Sequence, residues 1–363
     1  MTNRVWVLGA EDPEMTAIES LLRECGEYVV YALDKHGERV TPATAYRCPL
    51  PEVPARAVVY AVECIDALPA GWARIDHHRP GDPGYGRPPR EFLPASSLGQ
   101  VIAELARLGR LPEAWPRLGT SEGCAWHRGE LVTRGGHPDQ PGFPLGWWVT
   151  TCEEGETGDP GWGADGGETA DVPRDLVYTA AADHCLGSAY RGECPGVDPD
   201  ELMRWRVAQR ATFQGRSAEQ ILADIERARE LLSETDSVEL APGIRVADVR
   251  GYCLVTHDCG HKELRHEDYT THISHKHGCP GSRDLWCNGW TVKPGVPELP
   301  DAAARDGVAY LATVATGGRQ KVVLGGCTSP EQVRAFLEHW APRHGLVDLY
   351  GDPARGYAGG FLP

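Results

Sequence analysis

The sequence predicts an α/β protein: a parallel-sheet domain followed by a smaller C-terminal α/β domain. Three observations predict it. Short apolar runs of β type alternate with helical patterns over the first ~100 residues, as in a parallel sheet covered by helices. At 363 residues the chain exceeds a usual single domain, so two domains are expected. After residue 235 the order changes to strand, strand, helix, which marks the second unit as 236–363.

In order, "RVWVLGA" (4–10) reads as a strand and "PEMTAIESLLRECG" (13–26) as a helix stopped by Gly26. "YVVYAL" (28–33) and "AVVYAVE" (57–63) read as buried strands and "ARID" (73–76) as a short one. "ASSLGQVIAELARLG" (95–109) has helical spacing through Val101, Ile102, Leu105 and Leu108. From about 111 to 172 the texture turns to Trp, Gly and Pro, an insertion within the first domain (1–235). Helices follow over 174–192, 198–213 and 217–234, the last opened by a capping box from Ser217 to Gln220. The second unit holds a His/Cys-rich segment (253–287), a Pro-rich joint (293–300), strands at 308–315 and 320–326, and a helix over 329–345.

An apolar content of 41% with 24% charged residues is ordinary for a globular chain. The formal charge of −16 disfavours long nucleic acid, whose phosphates need a basic surface. A small nucleotide remains compatible with a local basic pocket. The opening "MTNRVWVLGAEDPE" lacks the signal-peptide pattern, and no run approaches the roughly 18 apolar residues of a membrane span. A cytoplasmic protein without a membrane partner is expected; no pattern fixes its oligomeric state. In that setting the twelve cysteines read as buried thiols or metal ligands rather than a disulfide framework.

The chemistry gathers at strand ends. Glu11–Glu14, Glu63 and Asp76–His78 each follow a predicted strand. In open parallel sheets, ligands collect at the carboxyl ends of the strands. "RIDHHRPGDPGYGRPPREFLPASSLGQVIAEL" (74–105) sets Asp76, His77 and His78 side by side after an apolar run. Three adjacent polar side chains cannot all face a core. They either cap the sheet as solvated ends or converge on something that needs carboxylate and imidazole together.

The Asp76-His77-His78 triplet, the downstream "PASSLGQVIAEL" and the early "GAEDPEMTAIESLL" resemble the DHH phosphoesterase superfamily. The resemblance covers residues 4–110 and, by position, a helix at 174–192. It implies a DHH-type domain whose cleft is walled by the second domain, and hydrolysis assisted by Mn²⁺ or Mg²⁺. By position it implies metal ligation by Glu14, Glu63, His77 and Asp183. Asp76 would orient an imidazole, His78 would donate to a phosphate oxygen, and Arg79 would neutralise one. Ala10 and Thr16 stand where the family has two further ligands, which favours one ion over two. On a helix Asp183 and His184 diverge by about 100°, so one would ligate and the other neighbour the ion.

Two other segments carry candidate sites. Cys253, Cys259, Cys279 and Cys287, with six histidines among them, could hold a structural Zn²⁺. Without a paired C-x₂-C they equally read as buried thiols, and His272, His275 or His277 as substrate contacts. The tail "YGDPARGYAGGFLP" offers Arg355 with Gly356, Gly359 and Gly360, either as an anion-binding loop like that of the family's second domain or as a surface turn. The function expected is a metal-dependent phosphohydrolase, phosphatase or phosphodiesterase, acting on a small phosphorylated or nucleotide-like substrate. The alternatives are a catalytically degenerate nucleotide-binding or sensor module, and a metalloprotein doing other chemistry on a nucleotide.

Overall fold

The computed structural model describes residues 4–42, 44–112, 172–253, 298–316 and 319–363. The Trp/Gly/Pro-rich insertion, apart from its ends, and Cys259, Cys279 and Cys287 with the six histidines lie outside the described residues.

Four strands form the first sheet: β1 (Arg4–Leu8), β2 (Val29–Tyr31), β3 (Val58–Val62) and β4 (Ala73–Ile75). All pair in parallel, in the order β2-β1-β3-β4. Val5, Trp6, Val7 and Leu8 are all buried, so both faces of β1 are covered, which explains its unbroken apolar run. Helix α1 (Pro13–Glu24) starts where Asp12 accepts the Met15 amide at 2.7 Å and Pro13 supplies a preset first turn. It buries Met15, Ile18, Leu21 and Leu22. A short turn of helix, α2 (Phe92–Ala95), leads into α3 (Ser97–Arg107), capped by Ser96 on the Gly99 amide. The next helix, α4 (Arg174–Tyr190), is broken at Cys185, whose backbone is not helical. The chain adds β2 on one side of β1 and β3 on the other. The carboxyl ends of β1 and β3 therefore flank the crevice where parallel sheets bind ligands.

The second unit begins earlier than the expected boundary at 235. Residues 198–363, with 186–191, pack among themselves as one compact unit, and the rest of the chain forms the other. Helices α5 (Pro199–Gln214) and α6 (Ala218–Glu234) bury Val207, Ile221, Ile225 and Ala228 against Val249, Leu299, Tyr310 and Ala312. The expected capping box of Ser217 and Gln220 is present. Arg206 forks onto Asp301 (2.8 and 2.7 Å) and Arg210 onto Glu298 (2.9 and 3.2 Å), tying α5 to α7 (Leu299–Asp306).

The second sheet is mixed: β5 (Ser237–Ala241), β6 (Ile244–Cys253), β7 (Tyr310–Thr316), β8 (Arg319–Gly325), β9 (Val347–Asp352) and β10 (Tyr357–Phe361). Its order is β5-β6-β7-β8-β10-β9, with β6 and β7 parallel and the other pairs antiparallel. The last helix, α8 (Pro330–Ala335), runs on through Trp340 to Arg343 and packs Val333, Phe336 and Trp340 on this sheet. Among the described residues, no helix is long and apolar enough to cross a membrane.

The glycine-rich tail forms a hairpin of β9 and β10. Gly359 and Gly360 lie within β10, paired with β8. A Cβ on Gly359 would fall 2.3 Å from the Tyr350 hydroxyl, and one on Gly360 2.5 Å from Leu349. Their missing side chains make room for cross-strand neighbours. Arg355 and Gly356 occupy the turn, where the Arg355 guanidinium lies 4.8 Å from the Tyr357 ring centre and Nη1 donates to its hydroxyl at 3.2 Å. Gly359→Ala is therefore expected to lower stability by about 1–3 kcal/mol, the usual cost of overpacking, read as a drop in Tm. An unchanged Tm with weakened phosphate binding would restore the anion-loop reading.

Candidate metal centre

The carboxyl end of each inner strand delivers one part of the centre. After β1 the chain turns through Gly9, whose amide donates to Val62 O at 3.0 Å. A Cβ there would meet Glu63 O at 2.4 Å, so only glycine lets these strand ends touch. A few residues later, Glu14 sits in the first turn of α1, almost fully buried. Its Oε1 accepts the Leu98 amide at 2.9 Å at the start of α3, where unfilled amides favour an anion. Glu63, directly after β3, holds a left-handed backbone (φ 50°) that a non-glycine residue adopts only at a cost. Asp76, His77 and His78 follow β4.

His77 is the hub, with none of its surface exposed. Its Nε2 lies 3.2 Å from Asp183 Oδ2, 3.5 Å from Glu63 Oε1 and 3.8 Å from Glu14 Oε2. The four residues onto which the resemblance placed ligands thus meet at one nitrogen. Glu14 Oε2 and Glu63 Oε1 are buried and accept no hydrogen bond. Buried carboxylate oxygens are rarely left so, because the desolvation cost goes uncompensated. Two ligands about 2.1 Å from a divalent ion and at right angles stand about 3 Å apart, close to these spacings. Three carboxylates and an imidazole suit Mn²⁺ or Mg²⁺, the nitrogen favouring Mn²⁺. Two overlapping donor groups, Glu14–His77–Asp183 and Glu63–His77–His78, each bring their ligand atoms within 4.8 Å of one another.

Asp183 and His184 take up opposite sides of the His77 ring. Asp183 faces Nε2 of His77, while His184 Nδ1 lies 3.1 Å from Nδ1 on the other side of the same ring. One of those two nitrogens must carry the proton. Were Nε2 of His77 to bind an ion through its lone pair, Nδ1–H would donate and His184 would accept. His184 would then hold His77 in the tautomer a metal ion needs. Replacing His184 with alanine is expected to weaken Mn²⁺ binding about ten- to hundredfold by calorimetry, the usual cost of losing such an outer partner.

Asp76 is an organiser. Its carboxylate accepts the amides of His77 (2.8 Å) and His78 (3.1 Å), the Tyr46 hydroxyl (2.9 and 3.1 Å) and contacts His78 Nδ1 at 3.0 Å. Burial pushes its pKa up, but the hydrogen bond and charge of His78 outweigh it and hold the group below its ordinary value. His78 is partly exposed, and with Nδ1 on Asp76 its Nε2 is the nitrogen turned outward. Arg79 stands at the rim, its guanidinium 3.5 Å from the Tyr46 ring centre and 2.7 Å from Asp66 Oδ1. Ala10 is buried and offers no donor, and Thr16 spends its hydroxyl on Asp12 O at 2.8 Å.

No family model, curated protein or solved structure matches the chain.

Two members of the centre escape a reading of the sequence. Asp12, singled out from its acidic run by nothing in the sequence, caps α1, and burial with the charge of Asp183 raises its pKa to about 6. The acidic run Glu11-Asp12-Pro13-Glu14 after a strand is the signal that could have found it. Tyr46 comes from a turn between β2 and β3 and carries no local signal. Burial and Asp76 raise its pKa, so it remains a hydrogen-bond donor.

Proposed function

We propose that the chain is a cytoplasmic, metal-dependent phosphohydrolase of the DHH phosphoesterase type, acting on a small phosphorylated or nucleotide-like substrate. One observation carries the reading: Glu14, Glu63, His77 and Asp183, separated by up to 169 positions, meet within 3.8 Å of His77 Nε2. These residues would hold one Mn²⁺ or Mg²⁺. A bound ion of this kind supplies an acidified water and neutralises phosphate charge.

The chain's own groups do the rest. Asp76, kept ionised and tied to two backbone amides, fixes His78 so that Nε2 faces a phosphate oxygen. His184 keeps the proton on Nδ1 of His77, which leaves the Nε2 lone pair for the ion. Tyr46 links Asp76 to Arg79, whose guanidinium at the rim would exchange Asp66 for a non-bridging oxygen.

A second reading, a degenerate nucleotide-binding module, is favoured by Ala10 without a donor and Thr16 spent on Asp12 O. A panel of phosphomonoesters and phosphodiesters in Mn²⁺ tests both. The expected result is turnover that Asp183→Asn abolishes while the fold persists. Nucleotide-dependent thermal stabilisation without turnover would move the assignment to the binding module, and absence of both would remove the phosphate chemistry altogether.

A further inference from the structure

The turn that carries Asp183 and His184 ends in a cysteine. Cys185 and Cys194 are both 2% exposed, and their sulfurs lie 3.0 Å apart. A disulfide needs sulfurs at about 2.05 Å, so closure asks for a movement of about 1 Å. Nine positions separate the two residues, so the bond would close a short loop within one chain. Cys185 is also the residue whose backbone (φ −154°, ψ 49°) breaks α4 directly after the two residues that grip His77. Among the described cysteines, this is the pair in sulfur-to-sulfur contact. Cys48 and Cys64 instead direct their thiols to the carbonyls of Ala45 (3.1 Å) and Val7 (3.6 Å).

We propose that Cys185 and Cys194 form a redox-active dithiol, a modification site that a small hydroperoxide converts to a disulfide and that pins the Asp183–His184 turn. Burial selects the oxidant, because a bulky disulfide reagent cannot approach either sulfur while hydrogen peroxide can. One thiol attacks the peroxide, whose O–O bond breaks. The product is a sulfenic acid and one water. The second thiol then attacks the sulfenic sulfur, the S–O bond breaks, the S–S bond forms and a second water leaves. The two thiol hydrogens end in the two waters, peroxide is reduced and the sulfurs are oxidised. A dithiol reductant reverses the step by exchange. The bond removes freedom from the unfolded chain and holds Cys185 in its non-helical conformation, so the oxidised protein is the more stable. This inference needs the two sulfurs and the break in α4 and does not depend on the phosphohydrolase reading.

The test treats the reduced full-length protein with about one equivalent of hydrogen peroxide. It is then quenched in acid, alkylated in denaturant and mapped by mass spectrometry. The expected result is a peptide pair joined through Cys185 and Cys194, two hydrogens lighter than the separate peptides and released by dithiothreitol. The oxidised wild type should melt several degrees above the reduced form, and Cys194→Ala should lose that difference. Recovery of both cysteines fully alkylated, or of separate sulfinic acids, would overturn the proposal. So would a Tm rise that survives in Cys194→Ala. Should that variant fail to fold, the wild-type peptide map decides alone.

Discussion

His77→Ala is expected to abolish Mn²⁺ binding, with a loss greater than the ten- to hundredfold of an outer-partner change, in a chain that keeps its secondary structure by circular dichroism. The imidazole is the one nitrogen base to which Asp183, Glu63 and Glu14 all turn. Without it, three carboxylates face a buried space that has lost its one nitrogen ligand. Such a cluster relieves itself by taking up protons, and a protonated carboxyl is a poor metal ligand. The loss therefore exceeds that of one coordinate bond. Calorimetric titration of wild type and variant decides it: equal Mn²⁺ affinity in the two proteins would sink the assignment.

The strand ends were legible because period and termination are local. β1, β3 and β4 are bounded where their apolar runs stop, and Glu63 and Asp76 follow β3 and β4 directly into the centre. Asp183 could be placed only by resemblance, since nothing local distinguishes it from any acid on a helix. That Asp183 and His184 diverge was legible from helix geometry, but not which of them faces which nitrogen of His77. That choice depends on His77 standing between them, 107 positions away from His184. The tail was left open between two readings for a related reason. A glycine that frees a turn and one that admits a neighbour's side chain look alike until Tyr350 and Leu349 are seen above Gly359 and Gly360. The boundary at 235 failed because the apolar stripes of α5 and α6 announce a buried face without saying which sheet covers it.

Stripped of metal, the protein is expected to lose stability as pH rises from about 5 to about 8, and Mn²⁺ to restore more of it at the upper end. Burial lifts the Glu63 carboxyl from 4.5 to about 8, and burial with Asp183 and Glu63 lifts Glu14 well above its ordinary value. Both groups hold protons in the folded state that they release near 4.5 in the unfolded chain. Below that pH both states are protonated and no penalty exists. Between about 4.5 and 8 the folded state binds more protons, so unfolding becomes easier with each step in pH, and above the folded value the penalty is complete. The buried charge of Glu63 then weighs directly against the folded state. The left-handed backbone at Glu63 adds to that cost, as backbone strain at functional sites does. Mn²⁺ binds the ionised carboxylates, so it releases protons on binding and adds about 2.7 kcal/mol at a hundred times its Kd. Glu63→Gln supplies the control, since it keeps the length and removes the charge. That variant should melt higher than wild type near pH 8 without metal, show a flatter pH profile and respond little to Mn²⁺. A wild-type Tm that climbs from pH 5 to 8 without metal would show that these carboxylates are not buried together, and the centre would lose its basis.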